Sequence, residues 1–264
     1  MNDPREQNRR IWDERARRRE AHARPVSEKD FANARGLLDE CRWLPEKLAG
    51  LRVLCLAAGG GWHGPLFASL GADVTVADIS EEMLELDRKV CAARNLSLKT
   101  VQASMDDLSM VGADCFEIVI QPVSTCYVPD VAKVYNEIAR VTAAGGLYIS
   151  QHKQPTSLQG SALPGPAGYT LVQAYHQKGS LPPEIGGLQH REAGALEFIH
   201  TWEALLGGMC RAGFVIEDLV EPRHADPGAA PGSFAHRSSY LPPYVTIKAR
   251  RGTEQRKACL SLAW

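Results

Sequence analysis

The sequence predicts an α/β fold of the doubly wound type, with one mostly parallel seven-stranded sheet, a C-terminal antiparallel strand and a lid insertion. Short apolar runs alternate with helical segments between residues 51 and 153, which is the pattern of a parallel sheet covered by helices. Two later strand patterns are joined by a loop, which indicates a hairpin with an antiparallel strand. The 264 residues fit one large domain or two small ones, and we expect a single domain.

The strands are predicted from apolar runs bounded by glycine, proline or polar residues. RVLCLAA, at 52–58, is a continuous apolar run and is typical of a buried parallel strand. Six more strands are predicted downstream, at 73–80, 98–103, 116–121, 147–152, 215–222 and 244–249. These seven segments are enough to build a single sheet.

Helices are predicted between the strands. A glycine-rich loop leads into a short helix before the second strand, and Ser80 is placed to cap the helix that follows that strand. Residues 130–141 are amphipathic, and Gly145 and Gly146 are expected to close that helix before the fifth strand. The alternation of strand and helix therefore continues up to the fifth strand.

The stretch after Lys153 breaks the regular pattern. It is rich in Pro, Gly and Ser through about Gly187, and compact domains rarely tolerate such a long irregular segment without a functional reason. We therefore expect it to cover a site. Regular structure is predicted to return at Glu197, with a helix that ends at Gly213.

Composition and charge narrow the classes of function. Lys and Arg total 30 against 31 for Asp and Glu, so a formal net charge of -1 gives no general attraction to nucleic acid or an anionic membrane. Seven scattered cysteines without a C-x-x-C pair argue against a disulfide framework or zinc finger and favour a reducing cytoplasm. No run reaches the roughly 18 apolar residues of a membrane span. No spacing of His, Asp or Glu indicates a metal site, and we expect a small-molecule partner.

A glycine motif and a downstream aspartate carry the chemical signal. Gly59, Gly60, Gly61 and Gly64 satisfy G-x-G-x-x-G between a strand and a helix, and Asp78 stands 19 positions after Gly59. Glycines let backbone N–H groups approach a ligand at a helix N-terminus, and the carboxylate can accept hydrogen bonds from ribose hydroxyls. The motif predicts a nucleoside-bearing ligand, and by itself it leaves dinucleotides and S-adenosylmethionine both open.

Six motifs stand in a definite order along the chain: VLCLAAGGG, ADIS, VQASMDDLS, FEIVIQPVSTCYVPD, RVTAAGGLYIS and LLGGMCRAGFVIEDLVEP. In this order they resemble the class I S-adenosylmethionine-dependent methyltransferases of the small-molecule type. The resemblance covers roughly residues 8–250, because NRRIWDERA is similar to the lid helix that precedes the sheet in this family. We therefore expect a methyltransferase fold over nearly the whole chain.

The resemblance implies a division of the single domain and a set of cofactor contacts. The parts are N-terminal lid helices at 1–50, a cofactor-binding half at 51–153, a substrate lid at 154–197, the C-terminal half of the sheet at 198–250 and a tail at 251–264. The implied contacts are Ala57, Gly59 and Gly61 for the methionine moiety, Asp78 for the ribose, Ile79, Ser104, Met105 and Asp106 for the adenine, and Gln121 for the methionine amine or the acceptor. Cys55 and Ala57 depart from the family, which commonly has an acidic residue and a glycine there.

The implied reaction is methyl transfer from S-adenosylmethionine to an oxygen or nitrogen of a small molecule, with S-adenosylhomocysteine as product. His152 is the candidate base or else a histidine that satisfies a loop carbonyl, and Tyr127 is expected at the same crevice as a catalytic or a packing residue. One alternative is an NAD(P)-dependent oxidoreductase, although Tyr244 and Lys248 of its Y-x-x-x-K dyad would lie about 13 Å apart in a strand. The other is a nucleotide-binding regulator without turnover.

Overall fold

Seven strands form one sheet in the part of the chain that the structure, a computed structural model, describes: residues 3–20, 23–183 and 190–253. They are β1 Arg52–Leu56, β2 Asp73–Asp78, β3 Lys99–Gln102, β4 Phe116–Gln121, β5 Thr142–Lys153, β6 Phe214–Val220 and β7 Tyr244–Arg251. Their spatial order is β3-β2-β1-β4-β5-β7-β6. Most of the predicted tail and residues 184–189 of the predicted lid lie outside the described residues.

Strand directions confirm the predicted fold class. All neighbouring pairs among β1 to β5 are parallel. The last strand, β7, is inserted between β5 and β6 and is antiparallel to both. The sheet is therefore a doubly wound, mostly parallel sheet with an antiparallel C-terminal strand, as the hairpin pattern predicted.

Helices occupy the connections between strands and the segment before the sheet. They are α1 Pro4–Arg18, α2 Glu28–Ala32, α3 Ala34–Leu38, α4 His63–Ser69, α5 Glu81–Ala92, α6 Val131–Val141, α7 Pro155–Gln159, α8 Gly208–Arg211 and α9 Phe234–Ser238. Ser80 caps α5 as predicted, since its side chain accepts a hydrogen bond from the Met83 N–H. Asp130 caps α6 in the same way, through the Ala132 N–H.

The prediction that Gly145 and Gly146 close α6 is wrong. The helix ends at Val141, and β5 already begins at Thr142 and runs through both glycines. The Thr142 hydroxyl donates to the Ile138 carbonyl at 2.6 Å, so a side chain satisfies a carbonyl at the end of the helix. Gly146 is needed for space instead, because a Cβ there would lie 2.6 Å from Thr142 Cγ2.

The late helix is shorter than predicted. Residues 197–201 are not helical, and a π-helical turn at Glu203–Gly207 leads directly into α8. Two long-range hydrogen bonds engage the preceding segment: the Phe198 N–H donates to Cys126 O, and the Leu181 N–H donates to Glu197 O, both at 2.7 Å. Local helical propensity is therefore overridden by pairing with distant loops.

Side-chain alternation assigns the two faces of the sheet to different helices. Leu54 and Tyr148 lie in the apolar cluster that contains residues of α6 and α8. Val53 and Leu147, one position away on the same strands, lie in the cluster that contains residues of α4 and α5. Consecutive residues of one strand therefore pack against helices on opposite faces of the sheet.

The N-terminal helix and the irregular segment pack against each other at the carboxyl end of the sheet. Asn8 of α1 donates from Nδ2 to the Tyr127 and Leu196 carbonyls at 3.0 and 3.1 Å. Arg15 forms an ion pair with Glu192 at 2.9 Å. We call α1 together with the described part of residues 154–197 the cover, since they lie over the strand ends.

Candidate active site

A cavity of about 460 Å³ runs across the carboxyl ends of β2, β1, β4 and β5 beneath the cover. This size falls within the range of small-molecule and cofactor sites. One end is lined by Asp78 after β2, and the other by Lys153 of β5 and Tyr244 of β7. In a doubly wound sheet, ligands bind at this edge, so the cavity is the natural candidate for a functional site.

Asp78 is a buried carboxylate at one end of the cavity. Its Oδ2 accepts from the Gly59 N–H at 3.0 Å, and its Oδ1 accepts from the Ser80 N–H at 2.9 Å. Burial raises the pKa of Asp78 to about 6, and Asp13 also raises it, while the backbone amides oppose the shift. Each carboxylate oxygen has two acceptor positions, so the group can accept further hydrogen bonds from ligand hydroxyls.

The glycine loop is shaped by its packing on α5. Gly59 lines the cavity, and a Cβ there would lie 2.8 Å from Met83 Cβ and 3.0 Å from Asp78 Oδ2, both of which belong to residues that also line it. Gly61 does not line the cavity; it has a φ of +79°, and a Cβ would lie 3.1 Å from Val90 Cγ2. The expectation that Gly61 lies directly under a cofactor is therefore not met. Ala57 does line the cavity, with a positive φ of 48°.

Asp87 is a second buried carboxyl behind this loop, and the sequence reasoning missed it. Its Oδ2 accepts from the Gly60 N–H at 2.9 Å. Burial raises its pKa to about 7. The sequence does contain a signal for it. Asp87 lies three residues after the buried Leu84 on α5, and residues three apart lie on the same face of a helix.

The predicted adenine-side residues divide into two groups. Ile79, Ser104 and Met105 line the cavity. Asp106 does not; it forms an ion pair with Arg5 of α1 at 2.8 Å and accepts a hydrogen bond from Ser104 Oγ. Asp106 therefore ties the cover to the loop after β3, and Arg5 lines the cavity in its place.

Gln121 does not line the cavity itself but lies behind two residues that do, Ser124 and Met105. Its Oε1 accepts from the Tyr148 hydroxyl at 2.5 Å, and its Nε2 donates to Ser124 Oγ at 3.0 Å. The side chain is only 1% exposed and belongs to the α6 side of the sheet. It has the geometry of a buried structural amide, and its Nε2 also lies 3.4 Å from the sulfur of Met105, another predicted cofactor residue.

His152 is placed differently from the expectation for a catalytic base. It lies inside β5 and not after it, is fully buried and does not line the cavity. Both ring nitrogens are engaged, Nδ1 with Thr125 Oγ1 and Nε2 with Ser150 Oγ, each at 2.8 Å. Burial, with His200 nearby, lowers the pKa of His152 to about 3. The ring therefore has neither access to a ligand nor basicity near neutral pH, and it acts as a core histidine.

Tyr127, Gln151 and Lys153 line the acceptor end of the cavity, by which we mean the end opposite Asp78. Burial raises the pKa of Tyr127 well above its ordinary range, so the phenol is neutral. The Trp12 ring meets it edge-on at 5.4 Å. The sequence predicts His152 at this site, but strand alternation puts its two neighbours, Gln151 and Lys153, on the opposite face, and that is the face that lines the cavity.

Lys153 and Glu197 form a buried ion pair, with Nζ and Oε1 2.5 Å apart and the side chains 3% and 0% exposed. Arg191 adds a second ion pair, from Nε to Glu197 Oε2 at 2.6 Å. These contacts join β5 to the cover across 44 residues of sequence. They fix Lys153 at the cavity wall.

No three His, Cys, Asp or Glu side chains come together as a metal site within residues 3–20, 23–183 and 190–253. In the same described parts, no helix is both long and apolar enough to cross a membrane.

Comparison with known proteins identifies methyltransferases that are similar to part of the chain. Residues 54–150 match the family described as a methyltransferase domain. The chain is 35% identical over 184 residues to the uncharacterized methyltransferase YbaJ of Bacillus subtilis, a match covering 69% of this chain and 72% of that protein. It is 30% identical to a ubiquinone biosynthesis O-methyltransferase of Xanthomonas oryzae, over 53% of this chain and 55% of that protein.

A solved structure supports the same fold. The S-adenosylmethionine-dependent methyltransferase from Mesorhizobium loti superposes with a TM-score of 0.62 at 23% identity, covering 83% of this chain and 98% of that one.

Proposed function

Because the chain belongs to the class I S-adenosylmethionine-dependent methyltransferases, we propose that it methylates an oxygen or nitrogen of a small molecule bound at the acceptor end of the cavity. The observation that carries this proposal is the single cavity that joins the glycine loop and Asp78 to a second, separately lined end. The O-methyltransferase among the relatives supports an oxygen acceptor, although that match spans only 55% of its length.

The cavity lining fits the cofactor at the end that contains Asp78. In our proposal, Asp78 accepts hydrogen bonds from the ribose, Ala57 and Gly59 border the methionine moiety, and the adenine lies among Ile79, Ser104 and Met105. Gly61 and Asp87 support this surface from behind by holding the loop on α5. Gln121 and Asp106 take no part in direct contact.

When bound, S-adenosylmethionine supplies an electrophilic methyl group whose bond to sulfur breaks as a bond to the acceptor oxygen or nitrogen forms. The sulfonium would leave as a neutral thioether that keeps the electron pair, and an acceptor that binds in its protonated form would pass its proton to water. The protein's contribution is to orient the acceptor and to exclude water, which is the task we assign to the cover. An acceptor that arrives ionised needs no base, so the buried position of His152 is no obstacle.

The two alternatives are less well supported. An oxidoreductase would need Tyr244 and Lys248 to act together, but both lie in β7, and the Lys248 ammonium forms an ion pair with Glu217 at 3.1 Å. Lys248 does not line the cavity. A regulator without turnover has no specific observation in its favour.

We also propose a reducing compartment, the cytoplasm, as the location. Six cysteines in the described residues are free thiols, and three of them are buried. Buried free thiols are typical of proteins that fold under reducing conditions.

The test is methyl transfer to an unselected mixture of small molecules. Purified protein would be incubated with S-adenosylmethionine carrying a ¹³C-labelled methyl group and a deproteinised cell extract, and labelled products found by mass spectrometry. NMR of the labelled methyl then identifies the atom that received it. We expect an O-methyl or N-methyl product that is absent with Asp78→Ala and present with Asp73→Ala, an exposed aspartate on the same strand. A C-methyl product, or no product from any extract, would contradict the proposal.

A further inference from the structure

Cationic side chains outnumber carboxylates around the acceptor end of the cavity. Lys153 and Arg191 share the single carboxylate of Glu197. Arg237, only 2% exposed, is a further buried cation, and its charge, like those of Lys153 and Arg191, lowers the pKa of His190. Arg237 is held by neutral groups, donating to the carbonyls of residues 157, 160 and 161. Lys153 and Arg191 therefore have one carboxylate between them, and the hydrogen-bond partners of Arg237 include none.

A nearby ion pair does not remove this imbalance. Glu192 also lines the cavity, but it is paired with Arg15 at 2.9 Å, and Arg15 lies 3.8 Å from a second, more exposed carboxylate, Glu20. Burying uncompensated charge costs free energy, and the cost falls when an opposite charge of good geometry enters. The acceptor end is thus electrostatically suited to an anion.

Lys153 is the cation of this group that reaches the cavity wall. Its ammonium group has three donors, and Glu197 takes one of them in the described part of the chain. The Tyr127 ring lies 5.9 Å from Nζ and limits the directions open to it. The remaining donors are therefore available to a ligand that occupies the acceptor end.

We propose that the methyl acceptor carries a carboxylate, which binds the Lys153 ammonium group. This inference rests on the proposed function and adds the substrate class. Asp78 and Lys153 lie on strands β2 and β5, three strand spacings or about 14 Å apart, so cofactor and acceptor carboxylate occupy opposite ends of one cavity. A carboxylate remains ionised at neutral pH and compensates the excess positive charge, whereas a neutral acceptor leaves it buried and unpaired.

The experiment compares benzoate with benzamide, which has nearly the same shape and no charge. Binding to the protein loaded with S-adenosylhomocysteine would be measured by ligand-observed NMR up to tens of millimolar. We expect benzoate to bind at least about tenfold more tightly than benzamide, the effect of one charge-assisted hydrogen bond. Lys153→Met should abolish the preference, Lys153→Arg should keep part of it, and Lys248→Met, a lysine outside the cavity, should leave it intact.

The comparison of the two probes on the wild-type protein can by itself overturn the proposal. Equal binding of the two probes, or no binding of benzoate in this range, overturns the carboxylate proposal. A preference that survives in Lys153→Met also overturns it. Binding of S-adenosylhomocysteine is measured first in the same samples, so failure of the cofactor assignment is distinguished from failure of the acceptor assignment.

Discussion

Asp87→Asn tests how the glycine loop is held, because it keeps an oxygen acceptor for the loop and removes a buried ionisable group. The Asp87 carboxyl is fully buried on α5, and its Oδ2 accepts from the Gly60 N–H at 2.9 Å. Burial raises its pKa from 3.8 to about 7, while the Gly61 and Gly60 amides oppose the shift and Asp78 adds to it. The folded protein therefore binds this proton more tightly than the unfolded chain.

The sign of the pH dependence follows from that difference. Between about pH 4 and pH 7 the unfolded chain ionises Asp87 and the folded protein does not, so the free energy of unfolding falls as the pH rises. At 1.36 kcal/mol per pKa unit, the loss between pH 5 and pH 8 is about 3 kcal/mol. Asn cannot ionise, so this loss should vanish in the variant.

Urea denaturation at pH 5, 6, 7 and 8 measures the effect. We expect the wild type to lose about 3 kcal/mol more than Asp87→Asn between pH 5 and pH 8. Oδ1 of Asp87 has no hydrogen-bond partner in the described residues, so the Asn amide adds a cost, but that cost does not vary with pH. Asp73→Asn, at an exposed position of β2, should follow the wild type. Equal pH slopes for wild type and Asp87→Asn would refute the reasoning.

Three further substitutions have definite outcomes. Gly61→Val should lower the free energy of unfolding by about 2 to 4 kcal/mol, because the backbone there has a positive φ and a side chain would press against Val90 of α5. A variant that keeps normal thermal stability and only loses cofactor binding would contradict this. His152→Ala should cost about 2 to 4 kcal/mol of stability, and turnover per folded molecule should stay within a factor of a few of the wild-type value. A hundredfold loss of turnover would show instead that His152 is the catalytic base. Glu197→Gln leaves Lys153 buried without its counter-charge and should cost about 3 kcal/mol in urea denaturation. Glu203→Gln, at an exposed residue, is its control, and equal stability of the two would exclude the buried ion pair as a stabilising contact.

Strands and helix caps were predictable because their signals are local. The predicted fourth strand coincides with β4 at both ends, and Ser80 caps α5 as expected. The glycine loop and Asp78 were also placed correctly relative to each other, since a strand, a loop and a helix of fixed length separate them. This spacing brings the two into direct contact, since the Gly59 N–H donates a hydrogen bond to the Asp78 carboxylate.

The acceptor end could not be predicted in the same way. His152 and Lys153 differ by one position, yet one faces α6 and the other the cavity, so a small error in strand register changes the chemical assignment. The partner of Lys153 is Glu197, which the sequence placed in a helix. The structure instead places it outside a helix, in a segment that forms hydrogen bonds to loops far away in sequence, for which no local pattern exists.

Calorimetric titration of S-adenosylhomocysteine into the wild type, Asp78→Ala and Asp73→Ala tests the proposed cofactor site most directly. We predict tight binding by the wild type and Asp73→Ala, and about 10- to 100-fold weaker binding by Asp78→Ala, the loss of a hydrogen bond to a charged group. Because burial raises the pKa of Asp78 to about 6, wild-type affinity should also fall as the pH drops from 8 to 5. Unchanged affinity in Asp78→Ala, with no fall at low pH, would contradict the assignment of the cofactor to this end of the cavity.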